Sequence, residues 1–69
     1  MIAEVYFWTV EAKVTVFDEL GRPMPYYCGP HREVASRILQ DAPRTARLYQ
    51  ASLAVGSKEP ITREQFLNA

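Results

Sequence analysis

Residues 4–17 alternate in character with a period of two. Tyr6, Trp8, Val10, Ala12, Val14 and Val16 fall on one side, and Thr9, Glu11, Lys13 and Thr15 on the other. The segment is rich in β-branched and aromatic residues and holds neither Gly nor Pro, which predicts a β-strand. At 3.3 Å per residue an unbroken strand here would run about 46 Å, well past the usual length. It is therefore expected to bend at a bulge near Glu11 and Ala12, or to pair in part outside its own subunit. Val5, Phe7 and Phe17 interrupt the polar side, so both ends are apolar all round. Asp18-Glu19-Leu20-Gly21-Arg22-Pro23 has the composition of a turn, with Gly21 free to take a positive φ. Residues 24–28 then read as a second strand. Pro23 and Pro25 cannot donate to a ladder, so it belongs at an edge.

Further along, the period changes. Val34, Ala35, Ile38, Leu39 and Ala42 form a stripe at helical spacing, opened by Gly29 and Pro30 and closed by Pro43. A helix under one face of a sheet is the expected reading. Residues 46–55 read as a third strand whose better apolar face is Tyr49, Ala51, Leu53 and Val55, although Ala, Leu, Gln and Arg also suit a helix. At the end of the chain, Thr62 and Gln65 have the spacing of a capping box, and Ile61 with Phe66 that of a hydrophobic staple. These predict a short helix from Arg63 to about Asn68. The expected architecture is α+β: a three-stranded antiparallel sheet, one main helix and a short C-terminal helix, in the order β-β-α-β-α.

With 69 residues, the chain has room for a single domain spanning 1–69. Area scaling gives about 4,400 Å² of folded surface, hence a small core. Eight basic residues balance eight acidic ones. A dedicated nucleic-acid binder usually carries a basic excess, so that class is disfavoured. The single cysteine excludes an internal disulfide and, with one histidine, a structural zinc site. No secretory pattern or membrane-spanning run is visible, and a cytoplasmic protein without cofactor or metal is expected.

Cys28-Gly29-Pro30-His31 resembles the Cys-Gly-Pro-Cys active site of thioredoxin-like proteins, with His31 in place of the second cysteine. The resemblance implies a thiol activated at a helix N-terminus, and covers these four residues only. Without a resolving cysteine, dithiol exchange is excluded and only a monothiol redox role is left. The plainer reading is a Gly-Pro helix start flanked by a half-buried Cys28 and a surface His31. Asp18 and Glu19 read as solvated turn residues rather than an acid–base pair. Ser36 or Ser52 with His31 lacks a nucleophile elbow. The three glycines are too dispersed for a phosphate loop. An enzyme is not expected.

Two features bear on binding. Arg44, Arg47, Lys58 and Arg63, with Tyr49 for stacking, offer a basic patch for nucleic acid as the alternative reading. The stronger feature is eight aromatic rings in so short a chain, because Tyr and Trp are concentrated at protein interfaces. The expected function is therefore a non-enzymatic protein-binding module, an adaptor, inhibitor or regulator of another protein. Partner contact is assigned to Phe7, Phe17, Tyr26, Tyr27, Arg44 and Arg47. Tyr6, Trp8 and Val10 are assigned to a homodimer interface.

Overall fold

The computed structural model describes residues 1–54 and 56–69. Val55, the last residue of the apolar face expected for the third strand, lies outside the described residues.

The long alternating segment is a hairpin rather than one strand. β1 (Ile2–Trp8) and β2 (Lys13–Asp18) pair antiparallel, with Val5 opposite Val16 and Phe7 opposite Val14. The turn between them contains no Gly, Asn or Pro, and Ala12 takes the left-handed conformation, φ 55°. An L-residue there costs on the order of 1 kcal/mol. The turn is held from both sides: the His31 amide donates to the Ala12 carbonyl at 2.9 Å, and the Thr9 amide to the Ala51 carbonyl at 3.1 Å.

This register reassigns the faces. Directly opposed residues share a face, so odd-numbered Val5 and Phe7 join even-numbered Val14 and Val16. Tyr6 and Trp8 join Lys13, Thr15 and Phe17 on the other side.

After β2 the chain turns through Gly21, φ 77°. The Asp18 carboxylate organises this turn, accepting from the Leu20 and Arg22 amides, each at 2.9 Å, and from Arg22 Nε at 3.0 Å. The expected return strand at 24–28 is instead a 3₁₀ turn over Pro25–Tyr27, closed by the Tyr27 amide on the Met24 carbonyl at 3.0 Å. Pro23 and Pro25 lack the donors for a longer ladder. The return is reduced to a single antiparallel bridge, Pro23 opposite Phe17 with the Met24 amide on the Val16 carbonyl at 2.9 Å, and to the two residues of β3 (Gly29–Pro30) beside β2.

α1 (His31–Asp41) carries the chain back across the sheet, so β4 (Arg47–Ser52) lies parallel to β1, with Val5 beside Leu48 and Tyr6 beside Tyr49. A crossover of helix length returns a strand in the same direction, whereas a tight turn reverses it. β5 (Ser57–Pro60) pairs antiparallel with β4. The sheet thus has five strands in the order β3-β2-β1-β4-β5, with one parallel pair among the described residues. The three-stranded antiparallel expectation is overturned by this topology. β5, Ser-Lys-Glu-Pro, has no apolar residue to reveal it.

Both helices cover one face. Val5, Phe7, Val14, Val16 and Leu48 from the sheet meet Val34, Ala35 and Ile38 of α1 and Phe66 of α2 (Arg63–Leu67). Phe66 is fully buried. α2 starts with the expected capping box: Thr62 Oγ1 accepts from the Gln65 amide at 3.0 Å, and Gln65 Oε1 from the Thr62 amide at 2.9 Å. His31, expected at the surface, is buried. It lies edge-on to Phe7 and Phe66, with ring centroids 5.0 and 5.2 Å away, and its Nε2–H donates to the Phe66 carbonyl at 2.6 Å.

Two stability predictions follow from the turns. Ala12→Gly removes the left-handed strain and is expected to raise unfolding free energy by about 0.5–1 kcal/mol in urea titration, the gain being limited by the extra chain entropy of glycine. The amide of Arg22 foremost, then that of Leu20 and the Arg22 side chain, hold the Asp18 carboxyl below its ordinary pKa. A carboxylate so held stabilises the fold at neutral pH, and that contribution is lost as pH falls through the depressed value. Asp18→Asn is therefore expected to lower stability at pH 7 and to flatten the loss of stability below about pH 4, read by thermal denaturation across pH.

Candidate functional site

The sheet face opposite the helices is a grid of side chains. Across the strands, one row runs Phe17, Glu4, Arg47. The next runs Thr15, Tyr6, Tyr49, Pro60, and the third Lys13, Trp8, Ala51, Lys58. Tyr6, Trp8, Phe17 and Tyr49 are all half-buried although no helix covers them. They are held by one another.

Tyr6 is the hub. It stacks on Tyr49 at 5.3 Å and 19° between planes, on Trp8 at 6.2 Å and 28°, and meets Phe17 edge-on at 5.7 Å. Trp8 Nε1–H donates to Thr15 Oγ1 at 2.9 Å, which fixes the indole on β2. Lys58 reaches in from β5. Its Nζ lies 4.6 Å from the Tyr49 ring centre and 5.2 Å from that of Tyr6, and donates to Tyr6 Oη at 3.3 Å. That hydrogen bond, first among the causes, raises the Lys58 pKa above its ordinary value. Arg47 Nη2 stands 3.5 Å from Glu4 Oε2 at the other end of the face.

Tyr6 and Trp8 form a ridge between two shallow grooves. One, about 410 Å³, lies against Phe17, Glu4 and Gly21. The other, about 350 Å³, is lined by Ala51, Leu53 and Lys58 among others. Because β1 and β4 are parallel, the turns that follow them lie at the same end of the sheet. Those turns expose Val10 (75%) and Leu53 (76%), so the aromatic face is extended by aliphatic surface.

The residues assigned from sequence are distributed over three regions. Phe7 is a correction: it is 8% exposed, packed beside His31, and cannot touch a partner in the folded chain. Phe17 and Arg47 lie on the open face with Tyr6 and Trp8, and Val10 is exposed in the turn between β1 and β2. Tyr26 and Tyr27 belong to the α1 side. The Arg37 guanidinium lies 4.6 Å over the Tyr26 ring, and Tyr27 Oη donates to Asp41 at 2.6 Å, which raises the Tyr27 pKa. Arg44 is exposed beside Arg63 at the end of α1. Arg63 itself is occupied, donating to the Leu39 carbonyl at 2.6 Å and that of Ala42 at 3.3 Å. The basic residues therefore do not form one patch.

Tyr49 and Lys58, placed from sequence in the basic patch of the nucleic-acid alternative, join the face, and so does Leu53, which had been assigned to no partner surface. The signal for Tyr49 and Leu53 was the run Tyr49, Ala51, Leu53, whose regularity marks the open side, while Leu48 turns to the core; Lys58 lies on β5, which no such pattern marks.

Little in the remaining chemistry converges. The Cys28 thiol is half-buried, donates to the Met24 carbonyl at 3.4 Å and accepts from the Val16 amide at 3.4 Å. It stands three residues before α1, and His31 Nε2 is engaged by Phe66. Among the described residues, no group of His, Cys, Asp and Glu has the arrangement to hold a metal, and no helix is long and apolar enough to cross a membrane. No known family, no curated protein and no solved structure matches the chain.

The reassignment of Phe7 is checked by comparing Phe7→Ala with Tyr26→Ala. The first creates a core cavity and is expected to cost about 3–5 kcal/mol. The second loses an exposed ring and one cation–π contact, about 0.5–1 kcal/mol. Thermal denaturation of both variants reads the difference.

Proposed function

We propose that this chain is a small non-enzymatic protein-binding module, an adaptor, inhibitor or regulator, that docks its partner on the open face of the sheet. One observation carries the reading: four aromatic rings are gathered on the side that neither helix covers, and exposed Leu53, which lines the second groove, continues that surface. Aromatic clusters of this kind dominate binding energy at protein interfaces. The rings are already packed on each other, so little side-chain freedom is lost on docking.

The sheet edges support docking on the face over strand addition. β3 is only two residues long. On β5, the Ile61 amide donates to the Leu48 carbonyl at 2.9 Å. Narrow pairs alternate along an antiparallel ladder, so Ser57 and Glu59 turn inward while Lys58 and Pro60 turn outward. Pro60 has no N–H to offer a further strand. A homodimer, which the long alternating segment first suggested, would accordingly meet through the face.

Lys13, Arg47 and Lys58 beside the rings favour nucleic acid as a second reading, since cations around stacking platforms suit single strands. The packing weighs against it. Tyr6 and Tyr49 already use ring surface on each other and under Lys58, and aliphatic Leu53 offers a base nothing to stack on.

Site-specific photocrosslinking in the native host tests the reading. A photoreactive residue in place of Lys13, on the face, is expected to trap one protein species, of dimer mass if the partner is a second copy. The same residue in place of Arg32, exposed on α1, is expected to trap none. Equal trapping from both positions, none from Lys13, or trapping of nucleic acid alone would overturn it.

A further inference from the structure

The charge on this face narrows the class of partner. Of the ionisable residues that the strand register places there, Lys13, Arg47 and Lys58 are cationic and Glu4 alone is anionic. The chain as a whole is neutral, so its remaining surface is net acidic. Glu4 is also partly neutralised by Arg47 at 3.5 Å. The two lysines stand in one row on either side of Trp8. The Lys58 ammonium donates to Tyr6 Oη at 3.3 Å, which holds it over the rings.

We propose, resting on the protein-docking reading above, that the occupant of the open face is an acidic peptide segment lying across the Tyr6–Trp8 ridge, with carboxylates toward Lys13 and Lys58 and apolar side chains in the two grooves.

The grooves, about 410 and 350 Å³, lie on opposite sides of the ridge. Each has room for a side chain, and neither encloses one. An extended segment crossing the ridge alternates its side chains, which lets apolar residues enter the grooves while carboxylates stay at the wet rim beside the lysines. A second copy of this chain would set two faces of the same sign together, each with three cations against the one carboxylate of Glu4, and like-charge juxtaposition across an interface is unfavourable. A basic segment meets the same penalty. The lysines also draw a polyanionic single strand, so the experiment must separate phosphate from carboxylate.

Trp8, the only tryptophan, lies on the ridge and reports occupancy of either groove by its fluorescence. The probes are a blocked nonapeptide alternating glutamate with leucine, the same peptide with lysine for glutamate, and a nonameric oligothymidylate. The acidic peptide is expected to change Trp8 emission saturably, with affinity falling about tenfold or more between roughly 0.05 and 0.5 M salt as the exposed charges are screened. The basic peptide is expected to bind at least tenfold more weakly. Lys13→Glu combined with Lys58→Glu is expected to reverse that preference, and the milder Lys58→Gln to weaken acidic-peptide binding several-fold. Circular dichroism confirms that each variant is folded.

Equal response to both peptides, no response to the acidic one, or a response to oligothymidylate alone overturns the proposal. If Lys13 still crosslinks to a protein when the acidic peptide fails, the docking face stands and only the chemistry of its occupant is wrong. If crosslinking fails as well, both readings fall.

Discussion

The register of the first hairpin sets everything that follows. Opposing Val5 to Val16 and Phe7 to Val14 gathers four of the five apolar side chains that these strands give the core, Ile2 being the fifth, and leaves Tyr6, Trp8 and Phe17 on the reverse. A slip of one residue would exchange the two faces, burying Lys13 and Thr15 beneath α1. The register is held where the chain is most strained, at the turn ending in Ala12. The amide of His31 closes that turn from below. The same residue begins α1 and directs its ring between Phe7 and Phe66. Hairpin register, helix start and core are thus tied together at His31.

A second consequence concerns α2. A five-residue helix has no stability of its own in water. Its persistence comes from Phe66, fully buried against the core, and from polar ties at both ends. His31 binds the Phe66 carbonyl, and Arg63 reaches back to the last carbonyls of α1. Those carbonyls have no partners within their own helix, and a cation suits the negative end of the dipole. An arginine that looks free in the sequence is a helix cap in the fold.

What was legible in the sequence had a local cause. The stripe Val34, Ala35, Ile38 and the capping box of Thr62 and Gln65 depend on spacing within one element, and both formed as expected. The hairpin was hidden because its turn uses Ala12 at φ 55° where glycine or asparagine would have marked a reversal. β5 was hidden because an exposed edge strand of Ser57-Lys58-Glu59-Pro60 needs no apolar residue. The parallel placement of β4 follows from the helical crossover, which pattern within one segment cannot show. Of the residues on the open face, Tyr6, Trp8, Phe17 and Arg47 are aromatic or cationic on sight. Only the register separates them from Phe7, which has the same chemistry and the opposite address.

The two faces of the sheet solve different problems with different residues. The buried centre of the covered face is largely aliphatic and β-branched, and such stiff side chains suit close packing beneath a helix. The same residues on the open face would leave a continuous oily sheet, an invitation to aggregate. Aromatic rings with hydroxyl or indole groups tolerate half-exposure, because each presents a polar atom to water or to a neighbour. Tyr6 accepts from Lys58, and Trp8 donates to Thr15. Lys58 serves this arrangement twice: it shields ring surface in the free protein, and as a charge on an edge strand it discourages indiscriminate sheet pairing. If the proposed acidic partner occupies the face, its carboxylate would draw that ammonium outward and uncover the rings beneath, so the residue that shields the empty face would also select its occupant.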